Sequence, residues 1–217
     1  MTPTMQDLLL DAFWETLVMV SASAAVAVAV GLPLALLLQV TGRGGLRPLP
    51  WLNRPLGLIV NAARSTPFII LMVAIVPFTR LVAGTSIGTG AAIVPLALAA
   101  TAFLARLFEN ALREVDAGVV EAARAMGASR WQIVTKVLVP EALPGLIAAI
   151  TVALVSLVGF SAMAGAIGGG GLGDLGIRFG YQRFMPEVMA TVVLILIVFV
   201  QGLQSLGDWL VRRLSHR

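Results

Sequence analysis

Long uncharged apolar runs alternate along the chain with short polar or glycine-rich segments. The runs are close to the ~20 residues that an α-helix needs to cross the ~30 Å hydrocarbon core of a bilayer. The pattern predicts membrane spans at residues 16–39, 57–80, 91–109, 143–167 and 188–206. We therefore expect an all-α, polytopic membrane protein with five transmembrane helices.

The second span is the hardest to place because Arg64 interrupts its apolar run. The span either starts after Arg64 and is short, or starts near Gly57 and lets the Arg64 side chain extend to the interface. We favour the second arrangement, with the span ending near Arg80. A tight turn at residues 84–90 then leads into the third span.

A charged segment at residues 111–140, here called the polar loop, separates the third and fourth spans. Asp116 is a suitable N-cap for a first short helix, and Gly127 can take the left-handed conformation that ends it. Ser129 and the glutamine three residues later have the spacing of a capping box, which starts a second helix. Pro140 is expected to end that helix. The polar loop is thus predicted to be two amphipathic helices hinged at Gly127.

Composition strengthens the membrane assignment. Hydrophobic residues make up 59% of the chain and charged residues only 12%, whereas about 25% of residues are charged in a soluble domain. The mean hydropathy is +0.96. The chain has no cysteine and so forms neither disulfides nor thiolate metal sites. Its net charge of +4 is clustered between apolar runs without interleaved aromatic residues, which argues against nucleic acid as a partner.

Basic residues are distributed unevenly between the two sides that five spans define. If the C-terminus is cytoplasmic, only Arg80, Arg178 and Arg183 lie outside. The cytoplasmic side then carries, in its loops or close to them, twelve residues: Arg43, Arg47, Arg54, Arg64, Arg106, Arg113, Arg124, Arg130, Lys136, Arg212, Arg213 and Arg217. This bias follows the positive-inside rule. We therefore expect the N-terminus outside, and the polar loop and the C-terminal tail in the cytoplasm.

The chain lacks the usual sequence features for binding a nucleotide or for coupling to an ion gradient. Gly168, Gly170 and Gly173 have the spacing of a dinucleotide-binding motif, but no strand precedes them, and a flexible external loop is the better interpretation. The only lysine is Lys136, so a Walker-type phosphate-binding loop is absent. No acidic residue lies at mid-membrane in the fourth or fifth span, which argues against a proton- or sodium-coupled carrier.

Some residues within the spans are candidates for function. Arg64, Arg106 and Glu109 lie near the cytoplasmic ends of the second and third spans. We favour interfacial placement with an ion pair that joins these two spans over a role in gating. Ser161 and Met163, in the outer half of the fourth span, could line a transport pathway, although small and flexible side chains also serve helix packing.

The polar loop also carries a sequence signature. Glu121-Ala122-Ala123 is followed after three residues by Gly127, and an apolar run then ends at Val137-Leu138-Val139-Pro140. This arrangement resembles the cytoplasmic loop of the permease subunits of ATP-binding cassette (ABC) importers, which usually have isoleucine and leucine at the two valine positions. Segments throughout residues 13–205 are similar to the methionine importer permease, namely residues 64–70, 75–80, 84–88, 105–112, 126–129, 139–146 and 161–166.

The resemblance implies one ABC importer transmembrane domain over residues 13–205, with the polar loop as its coupling loop and a basic cytoplasmic tail at residues 206–217 that includes His216. In that family the loop docks in a cleft of a separate ATPase subunit. The docking residues implied here are Glu121, Ala122, Ala123, Arg124, Met126 and Gly127. Glu121 and Arg124, three residues apart, could pair with each other or with the partner.

By the same resemblance, the chain is a non-catalytic permease subunit that works as a homodimer among the lipids of a bacterial inner membrane. Two ATPase subunits would bind ATP and Mg²⁺, so this chain would hold no cofactor or metal. An extracytoplasmic binding protein would deliver L-methionine, with D-methionine an open alternative. A permease for another small amino acid and an ion-coupled secondary transporter also remain as alternatives.

Overall fold

Helices make up most of the computed structural model, which describes residues 3–215. This part of the chain contains ten α-helices and two π-helical segments, and no strand. The α-helices are α1 Pro3–Thr41, α2 Pro50–Ser65, α3 Phe68–Ala74, α4 Val76–Ala83, α5 Thr89–Arg113, α6 Ala117–Ala125, α7 Arg130–Ile133, α8 Val139–Ala166, α9 Gly171–Leu175 and α10 Pro186–Leu214. The all-α prediction is confirmed. His216 and Arg217 of the predicted tail lie outside the described residues.

Four helical stretches are long and apolar enough to cross a membrane. They are Thr4–Thr41, Thr89–Arg113, Arg130–Ala166 and Pro186–Leu214, and they contain the predicted first, third, fourth and fifth spans. The bent pair of α2 and α3 brings the number to five if it counts as one crossing. The fold is therefore that of a polytopic membrane protein.

The shape predicted for the second span is wrong. No single helix covers residues 57–80, because α2 and α3 meet at an angle of 107° and α3 and α4 are separated at Ile75. The bend follows from Pro67, since a proline disfavours the helical conformation of the residue before it. Thr66 is accordingly extended, with φ −80° and ψ 125°.

The prediction that Pro140 ends a helix is also wrong. From α7 the chain passes through a π-helical segment, Val134–Leu138, into α8 without a break. The wider π-helical turn displaces the backbone hydrogen bonds at the place where Pro140 has no N–H to donate. The second half of the polar loop is therefore continuous with a membrane-spanning helix.

The glycine-rich segment after α8 is folded, which corrects the prediction of a flexible loop. It contains α9, which continues into a second π-helical segment at Gly176–Tyr181. Side chains of α1 cap the start of α9, since the Gly171 N–H donates to Glu15 Oε2 (2.6 Å) and the Leu172 N–H donates to Thr16 Oγ1 (2.9 Å). A Cβ at Gly170 would lie 2.7 Å from the Glu15 carboxylate, so the cap requires a glycine there.

Helices α1, α5 and α8 form the centre of the bundle. The large, fully buried side chains on their facing surfaces include Met19, Leu96, Leu104, Phe108 and Leu157. Phe68 of α3 stacks on Phe160 of α8 at a centroid distance of 4.8 Å, which attaches the bent arm to the centre. Helix α10 approaches α8 closely at Gly207, where a Cβ would overlap the Thr151 side chain. Small residues at such crossings are typical of helix packing in membranes.

The two ends of the bundle differ in the segments that they carry. The polar-loop end carries residues 42–49 and the short helices α6 and α7. The glycine-rich end carries the 84–88 turn and residues 167–185. At the latter end the Gly88 N–H donates to the Gly168 carbonyl (2.8 Å), so the start of α5 is joined to the end of α8.

Candidate functional site

The first helix of the polar loop begins as its sequence predicts. Asp116 Oδ1 accepts a hydrogen bond from the Gly118 N–H (2.6 Å), so Asp116 is the N-cap of α6. This satisfies one of the N–H groups that the first turn of a helix leaves without a backbone acceptor. The cap hydrogen bond itself therefore depends only on residues within one turn of the start of α6.

The hinge between α6 and α7 is at Gly127, also as predicted. Its φ of +79° lies in the left-handed region, and the Ala128 N–H donates back to the Ala123 carbonyl (3.1 Å) across the turn. This is the hydrogen-bond pattern with which a glycine ends a helix. Space around Gly127 is open, with no atom within 4 Å of a Cβ built there.

The second helix starts with the predicted capping box. The Gln132 N–H donates to Ser129 Oγ (3.3 Å), and the Ser129 N–H donates to Gln132 Oε1 (2.8 Å). Both partners lie three residues apart, so this helix start is also fixed by local contacts.

Together the two short helices present an apolar surface at the tip of a polar segment. Met126 is 82% exposed and Trp131 is 75% exposed, and Val119 is also exposed. On the opposite side Ala123 and Ile133 are buried in the main core and hold the loop on the bundle. Exposed large apolar side chains beside a buried anchor are typical of an interaction surface. Trp131 was not among the sequence candidates.

Glu121 and Arg124 both lie on the surface of α6. No ion pair joins them among the residues that the structure describes. They line a cavity of about 210 Å³ together with Gly45 and Arg113, between α6 and the end of α1. Their charges are thus available to a partner, as is the small surface of Ala122 beside them, which is exposed.

A buried carboxylate lies next to this cavity. Glu109 of α5 is 1% exposed and accepts hydrogen bonds from Arg106 Nη1 and Arg113 Nη2, both at 2.5 Å. Arg106 Nη2 also donates to the carbonyl of Gly57 in α2 (2.8 Å). The predicted ion pair between the second and third spans is not formed among the described residues, because both ion pairs of Glu109 are within α5 and Arg106 contacts α2 only through its backbone. Arg113 was not anticipated as a member of this cluster.

Arg64 does not take part in that link. It lies in the last turn of α2, is exposed, and has no ion-pair partner within residues 3–215. Extension of this side chain toward the membrane interface stays a prediction. The 107° bend that follows it places Arg64 at a corner of the chain.

The two candidates for pathway lining occupy different environments. Ser161 is buried, and its hydroxyl donates to the carbonyl of Val158 (2.8 Å). Met163 is about half exposed on the same helix. The two side chains therefore do not lie on one surface of this chain, and pathway lining by them stays a prediction.

Comparisons with known proteins agree with these features. Residues 27–217 match the family described as binding-protein-dependent transport system inner membrane component. The chain is 56% identical to the probable D-methionine transport system permease protein MetI of Vibrio cholerae over 211 residues, which cover 97% of this chain and 94% of the relative. It is 46% identical to the methionine import system permease protein MetP of Bacillus subtilis, with coverage of 95% and 93%.

The fold has close counterparts among solved structures. A chain of the MetNI methionine ABC transporter in an inward-facing conformation superposes with a TM-score of 0.98, at 49% identity and with 100% of both chains covered. A chain of an amino acid ABC transporter with histidines superposes with a TM-score of 0.81 at 19% identity, covering 97% of this chain and 95% of that one, and shares the fold. The resemblance inferred from the polar loop is confirmed.

Proposed function

Because this chain belongs to the family of binding-protein-dependent transport system inner membrane components, we propose that it is the membrane-spanning permease subunit of an ABC importer for methionine. It transports its substrate and catalyses no reaction. L-methionine is the proposed substrate, and the name of the relative from Vibrio cholerae supports the D form as a second one.

The observation that carries this function is the exposed apolar surface of the polar loop. Met126 and Trp131 project from two short helices whose caps are local and whose opposite faces are anchored in the core. A methionine adapts its shape to a groove that changes during a cycle, and a tryptophan supplies a large rigid contact. We assign this surface to docking of a separate ATPase subunit, with Glu121, Ala122, Arg124 and Gly127 at or beside the contact. Ala123, which the sequence also indicated, is buried and anchors the loop on the bundle instead.

The other partners follow from the same assignment. Two copies of this chain enclose the pathway, and each binds one ATPase subunit at its polar loop. ATP and Mg²⁺ bind to the ATPase, which supplies the energy of transport. An extracytoplasmic binding protein delivers methionine to the glycine-rich end. The excess of basic residues at the polar-loop end supports a cytoplasmic C-terminus and an N-terminus on the outer side.

Transport then proceeds by alternating access. Closure of the ATPase dimer draws the two polar loops together, and the continuous rod from α7 to α8 carries this displacement into the membrane. The pathway opens outward in that state and inward after reset. The contacts between the ATPase subunits and the polar loops differ between the two states. Such a difference is what a ligand-driven conformational change requires.

The proposal is tested by reconstituting the permease in vesicles with its ATPase and its methionine-binding protein. We expect methionine uptake that depends on ATP, and ATP hydrolysis that rises when the loaded binding protein is present. The matched control omits the ATPase and imposes a proton or sodium gradient. Uptake in that control would contradict the proposal, as would ATP-dependent uptake of other amino acids but not of methionine.

A further inference from the structure

A second cavity lies at the glycine-rich end, away from the polar loop. It has a volume of about 250 Å³ and lies between α3 and α4 on one side and the start of α5 on the other. Its walls are mainly apolar, with contributions from Met72, Val76, Pro95 and Ile167. The wall opposite α5 is formed by α3 and α4, which are separated at Ile75, so the cavity lies beside a break in the predicted second span.

Two polar groups in the cavity wall lack the partners that a helix normally supplies. Thr79 of α4 is 4% exposed, and its hydroxyl oxygen has no hydrogen-bond partner among the described residues. Pro95 has no N–H, so the carbonyl of Ala91 one turn earlier is deprived of its usual helical donor. Both Ala91 and Pro95 line the cavity. Unpaired polar groups in an apolar wall are costly unless a ligand or water pairs with them.

A positively charged side chain, that of Arg80, lies at the rim of the same cavity. Ser86 lines the cavity and accepts a hydrogen bond from Arg80 Nε (3.2 Å), which holds the guanidinium group beside the opening. Arg80 forms no ion pair within residues 3–215. Its remaining N–H groups have the fork geometry that matches a carboxylate.

We propose that this cavity is an outer holding site for an amino-acid zwitterion with an apolar side chain. The carboxylate pairs with Arg80 at the rim, the ammonium group donates to the Ala91 carbonyl, and the Thr79 hydroxyl supplies a further polar contact. The side chain lies against Met72, Val76 and Ile167. This inference rests on the proposed function, because it places the transported methionine at the glycine-rich end before it enters the pathway.

The site can be tested by protection of an introduced thiol. The chain has no cysteine, so Ile87→Cys gives the permease a single thiol at the cavity wall, where the native side chain is 67% exposed. The complete complex with its ATPase is treated from outside with an impermeant maleimide. We expect L-methionine at about ten times its Kd to slow alkylation about tenfold, because only unoccupied sites react.

Matched variants separate this site from an indirect effect. Gln182→Cys, exposed at the same end but outside the cavity, should be alkylated at the same rate with and without methionine. Adding Arg80→Gln to Ile87→Cys should raise the half-protecting concentration, which is the methionine concentration that halves the alkylation rate, by about tenfold. The reason is that a charge-assisted contact is lost. Adding Arg183→Gln, which removes an arginine at the same end of the bundle but outside the cavity lining, should leave that concentration unchanged. Methionine analogues without a carboxylate, and charged amino acids, should not protect.

Several results would overturn the inference. The inference is contradicted if methionine does not slow alkylation, if Arg80→Gln leaves the half-protecting concentration of methionine unchanged, or if every amino acid protects equally. A thiol that never reacts would show that another part of the complex fills the cavity, which also contradicts it. If Ile87→Cys fails to co-purify with the ATPase, Ile167→Cys in the same wall replaces it. ATP-dependent methionine uptake by the unmodified complex tests the proposed function separately.

Discussion

The two ends of the bundle are held together in different ways. At the polar-loop end, the caps of α6 and α7 join residues two or three positions apart. At the glycine-rich end, Glu15 and Thr16 of α1 bind backbone groups 156 positions away at the start of α9. The start of each short helix in the polar loop is therefore set by its own sequence, whereas the glycine-rich end is fixed to the helices beneath it. A loop that transmits force to the membrane benefits from helix starts that are fixed by local caps.

The largest expected effect is that of Gly127→Asp, which disturbs the hinge. The new side chain must adopt φ near +79° and would project from the docking surface. We expect the protein to reach the membrane and ATP hydrolysis to be uncoupled from uptake, with uptake falling to the background. The measurement is uptake and hydrolysis in the same vesicles.

The matched control for that variant is Gly44→Asp. Gly44 lies in the turn after α1, has φ +81° and is likewise free of neighbours within 4 Å. Backbone strain is therefore similar in both variants, but only one alters the hinge between α6 and α7. Equal loss of coupling in the two variants would show that strain, and not the docking surface, is responsible.

The next largest effect concerns Glu109→Ala at the polar-loop end. Removing this buried carboxylate leaves the mostly buried Arg106 guanidinium group without its anion, which costs about 3–5 kcal/mol. Asp174→Ala breaks an exposed ion pair with Arg178 at the other end and should cost at most about 1 kcal/mol. Apparent Tm values in detergent should fall clearly for the first variant and little for the second. Similar values for both would contradict the role of Glu109 as a buried clamp.

A smaller effect is expected for Glu15→Ala at the glycine-rich end. The variant leaves the Gly171 N–H without its acceptor, which costs about 1–3 kcal/mol for a partly buried group. Glu15→Gln keeps an acceptor oxygen and should retain most of the stability. Hydrogen exchange at residues 170–176 should rise in the alanine variant and stay low in the glutamine variant. Exchange that is unchanged in both would show that α9 does not depend on this cap.

The same contrast explains how much could be predicted from the sequence. The caps at Asp116 and Ser129 and the turn at Gly127 were predicted correctly because each depends on residues within one helical turn. The four uninterrupted spans were found because a run of apolar residues reports membrane crossing directly. The family could be inferred from the spacing of Glu121-Ala122-Ala123 and Gly127 in the polar loop.

Features that depend on distant residues were predicted wrongly or not at all. Local propensity indicates a loop at residues 168–174, and α9 forms there because of distant contacts, which include the Glu15 and Thr16 side chains of the first helix and the apolar cluster that buries Leu172. The effect of a proline depends on its surroundings as well. Pro67 breaks the second span, whereas Pro140 is accommodated next to a π-helical turn. The roles of Arg113 and Trp131 required the positions of their neighbours in space.

The most direct test of the central claim is a crosslink from the exposed tip of the polar loop. Met126→Cys introduces the only cysteine of this chain and can be labelled with a photoreactive maleimide in the assembled transporter. We predict a crosslinked product with the ATPase subunit whose yield changes when ATP is added, and no such product from Gln182→Cys at the glycine-rich end. A Met126→Cys label that reaches only lipid, or crosslinks of equal yield from both positions, would contradict the account.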